Sequence, residues 1–136
     1  MFKKILLSAS VATFGLLVPL LEINETHVFN PLWPAHARLH EVWQLGTNIA
    51  IAILCLWLAW HRSDLRSAAA LGLTVVAGFL GAFLLGPTYG GSMKHADGTE
   101  IILAGVNAAV IVMLVAAAIL GWILVSKPRR PGDWRS

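Results

Sequence analysis

The chain has 136 residues, of which 57% are hydrophobic and 12% are charged, with a formal net charge of +3 at pH 7. A soluble domain of this length has too little interior to bury so much apolar surface, so the composition excludes an ordinary water-soluble fold. The single cysteine excludes a disulfide within the chain. The positive charge does not indicate nucleic-acid binding, because the basic residues stand at the ends of apolar stretches, where they set membrane orientation.

Four apolar stretches follow one another along the chain. With their amphipathic flanks they run over about residues 5–21, 34–60, 67–86 and 100–126. Each approaches the roughly 20 residues that an α-helix needs to cross a hydrocarbon core, and none shows the alternation of a barrel strand. We therefore predict an all-α fold, a single domain over residues 1–136 that forms a polytopic membrane bundle of four transmembrane helices.

The first stretch begins like a secretory signal, because Lys3 and Lys4 precede an apolar run. No small-x-small cleavage site stands at the end of this run, directly before Glu22, where the residues are Pro19, Leu20 and Leu21. We therefore expect the segment to be retained as a helix, with a kink near Pro19.

The positions of the Lys and Arg residues predict the orientation of the bundle. The outer loops hold two of the ten, Arg38 and Lys94. The other eight fall on the segments that would face inward: Lys3, Lys4, Arg62, Arg66, Lys127, Arg129, Arg130 and Arg135. Cytoplasmic loops carry such an excess. The sequence thus predicts a multi-pass protein with both termini in the cytoplasm, and a bacterial inner membrane is the expected location.

The first outer loop, residues 22–40, holds most of the candidate chemistry. It contains three of the five histidines, His27, His36 and His40. Pro34 suits the first turn of a helix. A helix starting there would place a polar residue on one face every four residues, forming a stripe that descends into the outer leaflet. The stripe consists of His36, His40, Gln44 and Asn48.

The fourth stretch offers polar residues to meet this stripe. Glu100 and Asn107 are seven residues apart and would share a helix face, and Glu22 ends the first helix at a similar depth. Polar groups within a membrane face the bundle interior. We therefore expect a pocket between the first, second and fourth helices that opens outward. The alternative is structural: the amides hydrogen-bond between helices, and Arg38 pairs with a nearby acid.

Two kinds of chemistry fit this pocket. In the first, His36 and His40 present two imidazoles to one transition-metal ion, with His27, His95 or an acid completing the site. In the second, a histidine beside a carboxylate serves as an acid–base pair acting on a lipophilic small molecule that enters from the membrane. The pairs considered are Glu22 or Glu41 with His40, and Glu100 with His27.

The candidate site residues fall into two sets, one catalytic and one substrate-binding. The candidate catalytic residues are Glu22, His27, His36, His40 and Glu41. The candidate substrate-binding residues are Asn30, Trp33, Arg38, Gln44, Asn48 and Asn107.

The string from Asn24 to His40, which reads Asn-x-Thr-His-x-Phe-Asn-Pro-x-Trp-Pro-x-His-Ala-Arg-x-His, resembles the signature loop of a family of small membrane proteins. That family occurs in fungi and bacteria, is largely uncharacterised, and includes members labelled acetyltransferases. The resemblance covers about an eighth of the chain. It implies a four-helix fold and a site made of His27, Asn30, Trp33, His36, Arg38 and His40. It implies no reaction. A likeness of layout to membrane sterol isomerases rests on no shared motif.

A different class of function also fits the sequence. The chain would then be an accessory subunit of a larger electron-transfer or light-harvesting complex, with the Trp-rich outer loop as its docking surface and a histidine as ligand to a pigment or haem. A transporter is disfavoured, because no paired broken helices surround a midplane site. The expected partners are membrane lipids, with either a lipophilic small molecule or partner subunits, and a homo-oligomer is compatible with both.

Overall fold

The computed structural model describes residues 1–94 and 98–126, and most of these residues are helical. Five α-helices occur in this part of the chain: α1 (Phe2–Ala12), α2 (Val18–Glu22), α3 (Ala35–Trp60), α4 (Leu65–Tyr89) and α5 (Ala108–Val125). A π-helical turn, Thr13–Leu17, joins α1 to α2, and two short strands, β1 (Ile102–Leu103) and β2 (Val106–Asn107), precede α5.

Four helical segments are long and apolar enough to cross a membrane. They are Phe2–Glu22, which we call span 1, Ala35–Trp60, Leu65–Tyr89 and Ala108–Val125. Only 22–28% of the residues in their apolar windows are buried within the chain, so most of this apolar surface must be covered by lipid or by other subunits. The predicted four-helix membrane bundle is confirmed, and the protein is an integral, multi-pass membrane protein.

The irregular part of span 1 lies just before Pro19. The amide of Val18 donates to the carbonyl of Thr13, five residues back, which defines the π-helical turn. A proline ring clashes with the carbonyl four residues before it and offers no N–H. A π-helical turn is one of the ways in which a helix accommodates such a disturbance. Span 1 therefore continues past Pro19 to Glu22.

Span 1 and α3 approach each other closely at this turn. A Cβ atom added to Gly15 would overlap the Cβ of Ala52 on α3. Close contact through small residues is how helices pack in lipid, where no hydrophobic effect drives them together. The buried core continues on either side of this contact, and its largest fully buried side chains are Leu7, Val11, Phe14, Cys55, Val76 and Leu120.

The beginning of span 1 meets the ends of α3 and α5. Lys3 Nζ lies 4.9 Å from the ring centre of Trp122, and Lys4 Nζ lies 5.4 Å from that of Trp60. The first residues of the chain and the end of α5 thus lie at the same end of the bundle. We call residues 1–4, 60–66 and 122–126 the basic end, and residues 22–44, at the other end of the same helices, the histidine end.

The short connection at the basic end is set by Asp64. Its side chain caps α4 by accepting a hydrogen bond from the Ser67 amide at 3.1 Å. Hydrogen bonds from Ser67 hold the pKa of the Asp64 carboxyl below its usual range. The cap fixes the start of α4, and the short loop before it leaves α3 and α4 as packed antiparallel neighbours, as predicted.

The fourth predicted helix was too long at its beginning. We expected it from residue 100, but α5 begins at Ala108, and the residues before it form a β-hairpin in which Ile102 pairs with Asn107. Ala104 and Gly105, at the turn, have φ of 51° and 81°. Positive φ at both central residues is the requirement of a type I′ turn, whose twist matches that of the two strands.

Candidate functional site

The loop after span 1 is shaped by Asn24. Its Oδ1 accepts hydrogen bonds from the amides of Thr26 at 2.8 Å and His27 at 3.2 Å. Its Nδ2 donates to the carbonyl of Leu21, the last turn of span 1. An asparagine side chain that bonds the backbone two residues on forms an Asx turn. This turn reverses the chain directly above the end of span 1.

Asn30 holds the second half of the loop. It is 4% exposed, and its Nδ2 donates to the carbonyl of Thr26 at 3.0 Å, while its Oδ1 accepts from the amide of Leu32 at 2.9 Å. Buried amides are normally satisfied in this way. The structure therefore uses Asn30, a predicted substrate-binding residue, to fix the shape of the loop.

The loop brings His27 back onto the end of span 1. His27 Nε2 lies 3.1 Å from Glu22 Oε2, and their side chains are 17% and 27% exposed. His27 Nδ1 lies 2.8 Å from the hydroxyl of Thr26. The indole of Trp33 meets the imidazole edge to face, with 5.7 Å between ring centres. His27 is thus held on three sides and is still reached by solvent.

The hydrogen bonds around His27 connect its two ring nitrogens to different partners. Asn24 Oδ1 accepts from two backbone amides, which identifies it as the oxygen of the side-chain amide and as an acceptor. The Thr26 hydroxyl lies 2.7 Å from that oxygen and 2.8 Å from Nδ1 of His27, so its single hydrogen can be directed to either atom. When the hydrogen is directed to Nδ1, a neutral His27 carries its own hydrogen on Nε2 and donates it to Glu22. When the hydrogen is directed to Asn24, Nδ1–H of His27 donates to Thr26 Oγ1.

The His27–Glu22 pair places an imidazole nitrogen against a carboxyl oxygen, with a hydrogen between them. An imidazole and a carboxyl group placed in this way can pass a proton to a neighbouring group and take it back. Glu41, on the second turn of α3, lies close enough to interact with the charges of both residues. We call Glu22, Thr26, His27 and Glu41 the His27 centre.

This arrangement revises the predicted pairs. Glu22 pairs with His27 and not with His40. Glu100, which we expected to face His27, instead accepts a hydrogen bond at 3.3 Å from Asn107. The hairpin brings Glu100 and Asn107 together, because its two strands run side by side in opposite directions. The two residues do not share a helix face, because both precede α5. Asn107 also caps α5 by accepting from the Ala109 amide at 2.9 Å.

His36 and His40 lie together on the first turns of α3, as their spacing predicts. Their Nε2 atoms are 3.0 Å apart, and both side chains are exposed. The indole of Trp43 stacks on His40 with 5.8 Å between ring centres. Within residues 1–94 and 98–126, no group of three His, Cys, Asp or Glu residues is placed to share a metal ion. His95, a candidate third ligand, lies outside the described residues.

The rest of the predicted pocket is not assembled. Gln44 is exposed and Asn48 is half-buried, so the stripe turns toward the outside of the bundle over most of its length. In the described part of the chain, the one ion pair joins His27 to Glu22. The expected ion pair between Arg38 and Glu22, Glu25 or Glu41 is therefore not formed there.

Two cavities lie in other places. One of about 440 Å³ lies where α4 ends, and one of about 240 Å³ lies between α1 and α5. Neither is lined by a histidine or an acid. Neither of these two cavities is therefore the predicted pocket between the first, second and fourth helices, and the contacts of His27 are set by the loop.

Thr26 is the site residue that sequence reasoning missed. A signal for it was present, because an asparagine two residues before a threonine favours an Asx turn. That turn places the threonine hydroxyl beside the asparagine oxygen and beside the following histidine.

No protein-family model, no curated protein and no solved structure matches the chain. The resemblance of residues 24–40 to a family of small four-helix membrane proteins therefore stays a prediction.

Proposed function

We propose that the protein is a small membrane enzyme in which the His27–Glu22 pair moves a proton on a lipophilic small molecule at the outer surface of the membrane. The observation that supports this most directly is the 3.1 Å contact between Nε2 of His27 and Oε2 of Glu22, at a site reached by solvent. Isomerisation, hydration or cyclisation of a lipid needs little more than a positioned acid and a positioned base.

Each member of the His27 centre has a role in this proposal. His27 with Glu22 supplies the proton, and Glu41 is the second carboxylate that can accept one from the substrate. Thr26 and Trp33 hold the imidazole in place. Apolar side chains beside the centre offer a surface for the substrate, since Phe29 and Leu32 are 55% and 85% exposed.

The proposed outward position of the site rests on the distribution of the basic residues. Lys3, Lys4, Arg62 and Arg66 fall in the basic end, whereas Arg38 lies at the histidine end. Because cytoplasmic segments are rich in Lys and Arg, we propose that the basic end faces the cytoplasm. Glu25→Cys and Ser63→Cys, both at exposed positions, test this. An impermeant thiol reagent should label the first in intact cells and the second only after lysis. The reverse pattern would invert the proposal.

The activity is tested by comparing membrane lipids from cells that express different variants. Untargeted mass spectrometry should find lipid species whose amounts depend on the wild-type protein and return to the empty-vector level in His27→Gln and Glu22→Gln. His61→Gln is the matched control, because His61 is exposed at the other end of α3 and far from the centre in sequence. If His27→Gln produced the wild-type lipid profile at equal expression, the proposal would fail.

The second candidate function, an accessory subunit of a larger membrane complex, is favoured by a separate observation. Large apolar side chains at the histidine end stand out from the chain: Leu32, Leu39 and Trp43 are 85%, 63% and 67% exposed. Native mass spectrometry after gentle extraction distinguishes the two functions. Partners in fixed ratio would support the subunit function, and extra mass would show a bound pigment or haem. Release alone or as a homo-oligomer would favour the enzyme.

A further inference from the structure

We propose that His36 and His40 form a surface site for one divalent transition-metal ion, separate from the His27 centre. Both side chains project from consecutive turns of α3, and their Nε2 atoms are 3.0 Å apart. Residues four apart on a helix are neighbours on one face. The ligand pair is therefore positioned by a regular helix and does not depend on the shape of a loop.

The spacing of the two nitrogens suits a shared ion. Two imidazole nitrogens bound at about 2.0 Å from one ion are about 2.8 Å apart in the tetragonal geometry of Cu²⁺ and about 3.3 Å apart in a tetrahedral geometry. The observed 3.0 Å lies between these two values, so a rotation of either ring by a small angle reaches both. The rings stand at 90° to each other with 4.4 Å between centres, so both Nε2 atoms can point to one position without the rings colliding.

The exposure of the pair determines which ions it can take. Both histidines are accessible, so water completes the coordination of an ion held by two protein ligands. Imidazole selects Cu²⁺, Ni²⁺ and Zn²⁺ over Mg²⁺ and Ca²⁺, which prefer oxygen ligands. Among the divalent first-row transition metals, Cu²⁺ binds most tightly to a given site. The site is thus expected to prefer Cu²⁺ and to ignore Mg²⁺.

Trp43 gives the site an optical signal. Its indole stacks on His40 at an interplanar angle of 27°. A bound Cu²⁺ ion next to His40 would quench the fluorescence of this tryptophan, because a paramagnetic ion at short range removes the excited state. Trp43→Phe should remove most of the quenching and leave binding itself unchanged.

The test uses purified protein without a polyhistidine tag, in detergent, dialysed to equilibrium against Cu²⁺ in the presence of excess Mg²⁺. We expect saturable binding of one ion per chain. His36→Gln and His40→Gln should each weaken it by about a hundredfold, because each removes the second arm of a chelate. His27→Gln and His61→Gln should bind as the wild type does.

A rescue keeps the test independent of variant folding. Adding Gln44→His to His36→Gln places two imidazoles four residues apart again, on exposed positions of the same stripe. This double variant should regain tight Cu²⁺ binding. Absence of saturable binding by the wild type, or wild-type affinity in His36→Gln and His40→Gln, would overturn the proposal and leave the pair as two hydrogen-bonded imidazoles. Neither result affects the proposed function, whose test depends on His27.

Discussion

The two ends of the bundle use their polar residues in different ways. At the basic end the contacts join separate helices: Trp60 Nε1 donates to Ser8 Oγ at 3.0 Å, and Lys4 Nζ donates to Ser63 Oγ at 3.3 Å. At the histidine end the contacts are local, as between Thr26 and His27 or between His36 and His40. The basic end fastens helices together.

The histidine end builds a loop and a helix start whose reactive groups carry little of the bundle's packing. Substitutions at the two ends should therefore differ in kind. Changes at the basic end should lower the stability of the bundle, and changes at the histidine end should alter chemistry and leave stability almost intact.

The largest effect on stability is expected between the two ends, at the close contact of Gly15 with Ala52. Gly15→Leu would overlap Ala52, whose Cβ has no rotamer by which to move away. We expect the free energy of unfolding to fall by about 3 kcal/mol. Thermal unfolding in detergent measures this. Gly78→Ala, at a helix position with open space around it, should be neutral, and equal stability of the two variants would contradict the close contact.

The next effect separates the loop from the bundle. Asn30→Ala would leave the Thr26 carbonyl and the Leu32 amide without their partner. Such a loss costs about 1–3 kcal/mol, and we expect that cost to fall on the loop alone. Hydrogen exchange should accelerate over residues 24–33 while exchange in α4 and α5 stays unchanged. Uniform acceleration through the bundle would show that the histidine end supports the helices after all.

A smaller effect compares two tryptophans. Trp60→Phe removes the hydrogen bond to Ser8 and weakens the contact with Lys4. It should lower the unfolding free energy by about 1 kcal/mol. Trp43→Phe, at the histidine end, alters only a stacking contact with His40 and should have almost no effect. If Trp43→Phe proved the more destabilising, the comparison of the two ends would be wrong.

The smallest expected effect is on the thermal stability of the protein at low pH. Hydrogen bonds from Ser67 lower the pKa of Asp64 in the folded protein. A lowered pKa contributes stability that is present above the unfolded value and is lost as pH falls through the folded value. The midpoint of thermal unfolding should therefore drop slightly more in acid for the wild type than for Asp64→Asn, which caps the helix without titrating. Parallel profiles would show that the cap does not depend on charge.

The sequence was sufficient for the spans and for the His36–His40 pair. Apolar runs of the right length leave few alternatives in lipid, and a spacing of four on a helix places side chains together. It was insufficient for the hairpin before α5. The run Ile101-Ile-Leu-Ala-Gly-Val continues the apolar helix pattern, and Ala104 is an unusual residue at positive φ.

The sequence did not predict the contacts of the His27 centre, for a different reason. Each of its members was a candidate except Thr26, but the pairing of His27 with Glu22 depends on the return of the loop onto the end of span 1. Periodicity carries no information about such a return. Helix periodicity also places polar residues on a stripe without saying which way the stripe faces, and Gln44 turned out to be exposed.

The most direct test of the account is the pairing of His27 with Glu22. In protein labelled with ¹⁵N at histidine side chains, long-range ¹H–¹⁵N spectra report on both ring nitrogens, and the His27→Gln variant assigns the signals. The 3.1 Å contact between Nε2 of His27 and Glu22 predicts that Glu22→Gln shifts the Nε2 signal of His27 and leaves the signals of His61 unchanged. An Nε2 signal of His27 that stays the same in Glu22→Gln would contradict the His27–Glu22 pair, and with it the main support for acid–base chemistry at this site.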